Sequence, residues 1–257
     1  MSSRDTRVHA IALAFALICP AIGTAQEAAP SNDEALAALI VQKADQVRFP
    51  AEGFEVGITI STTTASGPAD ARKYRVLSKG NENTVVMTTE PASERGQIML
   101  LKGHDLWIFL PAVSQPVRLP LAQRLTGAVA NGDLARANFS GDYKPQLLRT
   151  DKVDGEPVYV LELIAVDRSV TYHRVLYWVR QSNHWPYKAE FYSLSDRLLK
   201  TCLYRKFERL GGRVRPTRLT MQDALRVGEE SVLDYSDMKL RDLPDKIFTK
   251  DYLKRLE

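Results

Sequence analysis

Few side chains in this sequence have the type and spacing needed for catalysis or metal binding. Beyond the N-terminal segment the chain contains His104, His173 and His184, and no two of them stand at metal-ligand spacing or beside a cysteine pair. His173 lies between Tyr172 and Arg174 in an alternating stretch, which is typical of a solvent-facing or hydrogen-bonded histidine. The sequence therefore predicts neither a metal site nor a histidine base.

The short motifs of nucleophilic and phosphate chemistry are also missing. Ser140-Gly141 has no glycine two residues before the serine, so the sequence contains no nucleophile elbow there. The sequence also lacks G-x-x-x-x-G-K and G-x-G-x-x-G, the loops that hold phosphates and dinucleotides. We therefore expect a protein that has no cofactor and is not an enzyme.

The composition is that of an ordinary globular protein. Of the 257 residues, 44% are hydrophobic and 26% are charged, which excludes the disordered and coiled-coil classes. The 35 Lys and Arg exceed the 31 Asp and Glu by a net charge of +4, which is spread along the chain. Because this excess is small, we expect no nucleic-acid partner.

The N-terminus has the three-part pattern of a secretory signal peptide. Arg4 and Arg7 precede an apolar run over 10–22, and small residues follow it up to Ala25. The run is too short to cross a bilayer, which needs about 20 residues, so we expect no stable membrane insertion. We predict that residues 1–25 are a signal peptide that is cleaved after Ala25.

The two cysteines are separated by this cleavage. Cys19 lies within the signal, and Ile18 before it is not the small residue that a lipoprotein signal requires, so we expect no lipid attachment. Cys202 then remains alone, and a single cysteine forms no internal disulfide. Cys202 lies in an apolar-rich stretch, which predicts a buried and inert thiol.

A helix is the first predicted element of the exported chain. Residues 26–33 form a small, polar, flexible lead-in, and side chains at 31–33 are suited to cap a helix. The residues that then follow the spacing of one helical face are Leu36, Leu39, Ile40, Lys43 and Val47. Pro50 ends the helix, whose apolar stripe must lie on another element.

Strands dominate the rest of the chain. Apolar and polar residues alternate over 54–61, and ten further strand-like segments follow, separated by short turns. This rhythm predicts an antiparallel meander that forms a barrel or half-barrel within a single domain, residues 34–257. Prolines and glycines interrupt it at 112–150, where short helices are predicted over 121–125 and 133–137. This region is either a lid or a surface insertion.

Several segments of the sequence, in a fixed order, resemble one bacterial family. They include RGQIML at 95–100, GHDLWIFLP at 103–111, NGDLARANF at 131–139, GDY at 141–143, YVLEL at 159–163, PYKAEFY at 186–192, RPT at 215–217, DYSD at 234–237 and FTKDYL at 248–253. Each motif alone is weak, whereas their order and spacing over about residues 34–255 are specific. The chain resembles the outer-membrane lipoprotein-sorting proteins of the LolA-like group.

The resemblance implies a fold and a role. The implied fold is mainly β with a few helices: an incomplete antiparallel β-barrel, or half-barrel, whose opening is covered by helices around an apolar cavity. The implied role is that of a periplasmic carrier, which shields the acyl chains of lipoproteins or lipids on their way to the outer membrane. Such shielding needs an apolar cavity rather than a catalytic group, since each buried methylene contributes about 0.8 kcal/mol.

The candidate cavity residues are assigned from strand alternation alone. They are Met99, Leu101, Trp107, Phe109, Leu161, Leu163, Val175 and Tyr177. Arg95 and Arg118 are candidates for contact with a lipid headgroup or a partner at the mouth of the cavity, and they are equally typical of solvated surface arginines. Alternation does not distinguish a hollow barrel from one filled by its own side chains.

The length of the chain leaves the cargo and the partner open. Members built like this chain are longer than the dedicated lipoprotein carrier, and similar sequences are associated with inner-membrane exporters of the resistance-nodulation type. We therefore expect the cargo to be a lipoprotein or another lipid that is delivered from such a transporter. The alternative is an accessory protein with a filled barrel that docks on the exporter without carrying lipid. A third hypothesis, an envelope enzyme, is disfavoured by the missing motifs.

Overall fold

The computed structural model describes residues 31–113 and 115–253. The predicted signal peptide, Cys19 and most of the lead-in lie outside these residues. Within them, Ser31 onward forms one compact unit, and no helix is long and apolar enough to cross a membrane.

Helix α1 (Asn32–Arg48) begins and ends where local interactions require it. Ser31 caps it: the Ser31 hydroxyl accepts a hydrogen bond from the amide of Glu34, and the Glu34 carboxylate accepts one from the amide of Ser31 at 2.9 Å. The helix ends before Pro50, as predicted. It begins at Asn32, two residues before the predicted domain boundary at position 34.

The buried face of α1 is not the predicted one. Of the predicted stripe only Ile40 is buried, while Leu36 and Leu39 are 39% and 44% exposed. The helix instead packs on a face that is rich in small residues: Ala37, Ile40, Val41 and Ala44, together with Asp45 and Arg48. Small side chains let the helix approach the sheet closely, and this close approach decides its rotation about its own axis.

The main sheet contains thirteen strands. The strands of the chain are β1 (Phe54–Thr64), β2 (Gly67–Lys79), β3 (Asn83–Glu90), β4 (Ile98–Lys102), β5 (Asp105–Phe109), β6 (Val117–Leu119), β7 (Arg124–Thr126), β8 (Val129–Ala130), β9 (Tyr143–Val153), β10 (Glu156–Ala165), β11 (Arg174–Arg180), β12 (Pro186–Tyr192), β13 (Leu198–Leu210), β14 (Arg213–Asp223) and β15 (Glu230–Leu240). Strands β7 and β8 form a separate pair.

The strand order confirms the half-barrel. It runs β6-β5-β4-β3-β2-β1-β15-β14-β13-β12-β11-β10-β9, with every neighbouring pair antiparallel. Among the described residues β6 and β9 are the two edges, and they are not paired with each other. The sheet therefore does not close into a barrel, and β9, which the sequence analysis did not identify, is one of its free edges.

The interrupted region of the sequence covers the inner face of the sheet. Residues 120–142, which we call the cover segment, contain β7, β8 and the short helix α2 (Asn131–Ala135). Their apolar side chains are buried in the main core: Leu121, Val129, Ala130, Leu134, Ala135 and Phe139. The region is thus a cover and not a surface insertion. The predicted helix over 121–125 is wrong, because this stretch forms a turn and the start of β7.

The two faces of the sheet bury separate apolar clusters. The main cluster lies between the inner face, α1 and the cover segment. A smaller cluster lies on the outer face of β2–β5, where the C-terminal segment with helix α3 (Lys250–Leu253) packs on it through Leu243, Phe248 and Leu253. Cys202 is buried in the main cluster, as predicted, and burial raises the pKa of its thiol to about 12.

Replacement of Leu233 by Ala tests the position of the core. Leu233 is fully buried at the centre of β15, between Ile60 of β1 and Leu219 of β14. We expect Leu233→Ala to lower the free energy of unfolding by about 2–5 kcal/mol in urea denaturation, because it removes buried methyl groups and leaves a cavity. The matched control is Leu240→Ala on the same strand, where the side chain is 55% exposed and a change within about 0.5 kcal/mol is expected. Equal losses would contradict this assignment.

Candidate functional site: the covered interior

Six of the eight predicted cavity residues meet on the inner face of the sheet. Each is at most 4% exposed and belongs to the main cluster: Met99, Leu101, Leu161, Leu163, Val175 and Tyr177. Cross-strand pairing aligns the last four, since Leu161 lies opposite Tyr177 and Leu163 opposite Val175. The inner face therefore presents a continuous apolar surface to α1 and the cover segment.

Trp107 and Phe109 lie on the other face, which corrects the predicted set. Strands β4 and β5 are joined by a two-residue turn, in which Gly103 has a φ of +60°. This turn pairs Met99 with Ile108 and Leu101 with Leu106, so the inward residues of β5 are the even-numbered ones. Trp107 and Phe109 consequently pack on the outer cluster, where the ammonium of Lys250 lies 4.1 Å from the centre of the Trp107 ring.

The two arginines that were predicted to contact a headgroup, Arg95 and Arg118, each contact a nearby residue of the sheet. Arg95 donates a hydrogen bond from Nε to the carbonyl oxygen of Thr89 at 3.2 Å. The guanidinium of Arg118, 71% exposed, pairs with the carboxylate of Asp105. Neither side chain lines the covered interior.

An ion pair on α1 joins the helix to the cover segment. The carboxylate of Asp45 accepts hydrogen bonds from the amides of Phe139 at 3.0 Å and Ser140 at 2.7 Å. Burial raises the pKa of Asp45, while the nearby charge of Arg48 and these hydrogen bonds act in the opposite direction. The guanidinium of Arg48 lies 4.7 Å from the centre of the Phe139 ring and 5.5 Å from that of Tyr204.

A second buried ion pair joins the cover segment to β13. The ammonium of Lys200, 4% exposed, pairs with the carboxylate of Asp133 and donates a hydrogen bond to the carbonyl oxygen of Ala128 at 2.8 Å. The hydroxyl of Tyr172 donates to Asp133 at 2.9 Å, and the amide of Ala130 donates to it at 2.7 Å. The Asp133 carboxylate is thus fully hydrogen-bonded, as a buried charge must be.

Arg136 attaches the far end of the cover segment to two turns of the sheet. Its Nη1 donates to the carbonyl oxygens of Asn81 at 2.7 Å and Gly103 at 2.9 Å. Its guanidinium also pairs with the buried carboxylate of Asp142, which contacts His104 Nε2 at 3.2 Å. The cover segment is therefore fixed by polar groups at both ends and by apolar side chains between them.

The interior is filled by the protein's own side chains. Two pockets beneath the cover segment have room of about 20 Å³ each, which is enough for about one water molecule. A larger, open groove of about 530 Å³ lies between α1, Ser140 and Gly141 of the cover segment, and the start of β9. The apolar side chains of the cover segment occupy the space in front of the inner face. In residues 31–113 and 115–253, the inner face beneath the cover segment is thus packed by the protein's own side chains.

Sequence reasoning missed the buried charges of the interior, which include Asp45, Arg48, Asp133, Arg136, Asp142 and Lys200. The burial of Lys200 could have been predicted from the sequence, since alternation along β13 places it on the same face as the buried Cys202 and Tyr204. A lysine at an inward position indicates a buried partner, but its partner Asp133 is 67 residues away along the chain.

Among the described residues no group of His, Cys, Asp and Glu could hold a metal ion.

The Lys200–Asp133 pair gives a test of how the cover segment is held. Lys200→Met leaves the Asp133 carboxylate buried without its counter-ion, so we expect the free energy of unfolding to fall by about 3–5 kcal/mol in urea denaturation. Adding Asp133→Asn should restore much of this loss, because the buried charge is removed. The control is Lys73→Met, whose half-exposed pair with Glu90 should contribute less than about 1 kcal/mol. A Lys200→Met effect as small as the control would contradict the buried pair.

Comparison with known proteins identifies the family. A family model described as an uncharacterized protein matches residues 80–255, and no curated protein matches the chain. A LolA superfamily protein of known structure from Nitrosomonas europaea is 65% identical, with 84% of this chain and 98% of that chain covered and a TM-score of 0.81.

Two more distant structures share the fold. A DUF1329 family protein from Desulfovibrio piger is 21% identical over 87% of this chain and 100% of that chain, with a TM-score of 0.75. A domain provisionally described as an outer membrane lipoprotein-sorting protein, from Vibrio parahaemolyticus, is 22% identical over 86% and 100%, with a TM-score of 0.74. On its sequence identity, its coverage and its half-barrel architecture, this chain belongs to the LolA superfamily.

Proposed function

We propose that this protein is a periplasmic carrier that shields the acyl chains of lipoproteins or lipids during transport toward the outer membrane, with no catalytic step. The observation that carries the proposal is the covered inner face. A continuous apolar surface on an open sheet is buried by a separate segment of the chain rather than by closure of the sheet. Membership of the LolA superfamily supports the same role.

The cover segment is suited to being displaced. Its regular elements are short, at most five residues each, and it contributes only a two-stranded pair, which is marginal by itself. Its apolar side chains stand where acyl chains would lie. We propose that the filled interior is the closed, unloaded state, and that lipid enters as the cover segment and α1 move away.

The free energy for this exchange comes from the cargo. Burial of an acyl chain of roughly 16 carbons contributes about 13 kcal/mol at ~0.8 kcal/mol per methylene. This gain offsets the apolar contacts and hydrogen bonds that the cover segment loses on opening. Release then requires an acceptor that binds the lipid better, because a ligand shifts an equilibrium only by its difference in affinity for the two states.

The location and partners follow from the same proposal. We propose that residues 1–25 direct export and are removed after Ala25, and that residues 34–257 act as a single domain in the periplasm. An inner-membrane transporter, of the resistance-nodulation type in our hypothesis, would load the carrier. The carried group is the acyl chain of a lipoprotein or of another lipid.

A second candidate function is an accessory protein that docks on the exporter without carrying lipid. The filled interior favours it, since a docking module needs no cavity and the pockets have room of only about 20 Å³ each. The two functions differ in whether lipid ever enters the main cluster.

Lipid extraction of the purified protein separates the two functions. The mature chain would be isolated from the periplasm, extracted with organic solvent and analysed by mass spectrometry. The carrier predicts co-purified lipid or acylated protein at near-stoichiometric amount, or uptake when lipid is added. A clean extract, with no uptake of added lipid, would contradict the carrier and favour the docking module.

Asp45→Asn tests the opening of the cover segment. The substitution weakens the hydrogen bonds from the amides of Phe139 and Ser140 while preserving side-chain size. We expect faster uptake of a fluorescent fatty acid in stopped-flow measurements, by about tenfold, because each charge-assisted bond contributes on the order of 1.5 kcal/mol. The control Asp33→Asn changes an exposed residue in the first turn of α1 and should leave the rate unchanged. Unchanged uptake by Asp45→Asn would show that this contact does not limit opening.

A further inference from the structure

An open groove lies outside the covered interior, at the C-terminal end of α1. It has a volume of about 240 Å³. Helix α1 supplies Lys43, Gln46 and Val47, the turn between β11 and β12 supplies His184, and the start of β14 supplies Arg213. The groove thus forms where the helix meets the turn between β11 and β12 and the start of β14.

The groove is lined by positively charged side chains. Its lining includes Lys43, Arg213 and the titratable His184, and it includes no carboxylate. Within residues 31–113 and 115–253, no Asp or Glu lies at ion-pair distance from Lys43 or Arg213. On the same strand as Arg213, by contrast, Arg218 pairs with Asp234 at 2.6 Å.

A further cation, Arg215, lies buried behind the groove. It is 2% exposed, and its Nη1 donates to the carbonyl oxygens of Gln46 at 2.9 Å and Val47 at 3.1 Å, which cap α1. Its Nε is buried without a hydrogen-bond partner in the described structure. Burial lowers the pKa of Arg215, and Arg213 lowers it further, while Glu52 raises it.

The charge of Lys43 also acts on His184, the histidine of the groove. Burial lowers the pKa of His184, and the charge of Lys43 lowers it further. Helix capping explains why Arg215 is present, but it does not explain Lys43 and Arg213, which have no structural partner among the described residues. An anionic ligand would relieve the repulsion between these cations and gain charge-assisted hydrogen bonds from them.

We propose that this groove binds a phosphate-class oxyanion, the headgroup of the lipid whose acyl chains enter the interior. The proposal rests on the carrier function and adds the class of headgroup. Groove and interior are adjacent along α1: Val47 lines the groove, while the guanidinium of the next residue, Arg48, lies over the Phe139 ring inside. A lipid that opens the seam between α1 and the sheet would therefore leave its headgroup among these cations.

The test compares two lipids that have identical acyl chains. Isothermal titration calorimetry would measure binding of dioctanoyl phosphatidylglycerol and of uncharged dioctanoyl glycerol to the mature chain. We expect the phosphate-containing lipid to bind at least about tenfold more tightly. In the double variant Lys43→Gln, Arg213→Gln this ratio should fall to about one. The control Arg197→Gln removes an exposed arginine from the turn between β12 and β13, at the opposite end of the strands, and should retain the ratio.

The possible results separate the headgroup site from the carrier function. Equal affinity of the wild-type chain for the two lipids overturns the headgroup site and leaves the carrier proposal standing. Binding of neither lipid contradicts the carrier and overturns the headgroup site with it. Inorganic phosphate that binds as tightly as the phospholipid shows a site for free phosphate and overturns the lipid source. Circular dichroism melting of each variant confirms that a changed ratio does not come from unfolding.

Discussion

A curved sheet whose two edges do not meet must bury its concave face against something other than itself, and this constraint governs the rest of the molecule. Thirteen strands run from β6 to β9 without closure, and the inner face is almost entirely apolar. Exposure of such a face to water would be strongly unfavourable. Helix α1 and the cover segment (residues 120–142) satisfy the constraint, so the elements that look irregular in the sequence complete the core.

The cover is held in a way that suits reversible burial. Its apolar side chains contribute non-directional contacts, which an acyl chain can replace. Its polar attachments are placed at defined points, which include Asp45 on α1, Lys200 on β13, the turns of the sheet that Arg136 contacts, and the pair of Arg124 with Asp223. Buried ion pairs of this kind add specificity more than stability, because the cost of desolvating the charges consumes much of their attraction. A closed state that is well defined but not much favoured is what a carrier requires.

The charges divide the molecule into regions with different chemistry. Inside, Asp133 is paired with Lys200 and hydrogen-bonded to the amide of Ala130. At the C-terminal end of α1, Lys43 and Arg213 face a groove and have no ion-pair partner in the part of the chain that the structure describes. An amphiphile has the same division, with an apolar chain and a polar head. The two regions meet at the C-terminal end of α1, where Val47 lines the groove and the guanidinium of Arg48 faces the interior.

Local patterns determined most of the fold, and long-range packing decided the site. Alternation and turn residues predicted most of the strands and an antiparallel barrel or half-barrel, since strands and turns depend on neighbours in sequence, and the resemblance to the LolA-like group implied the incomplete form. The rotation of α1 was mispredicted, because packing of Ala37 and Ala44 against the sheet outweighs the larger Leu36 and Leu39.

Trp107 was placed on the wrong face because the length of the Gly103-His104 turn, which fixes the register of β4 and β5, was not used. That error was avoidable from the sequence. The partnership of Lys200 with Asp133, and the cationic groove around Lys43 and Arg213, join residues far apart in the chain. Only the tertiary structure brings them together, since no local pattern encodes which distant segments meet across the open side of a sheet.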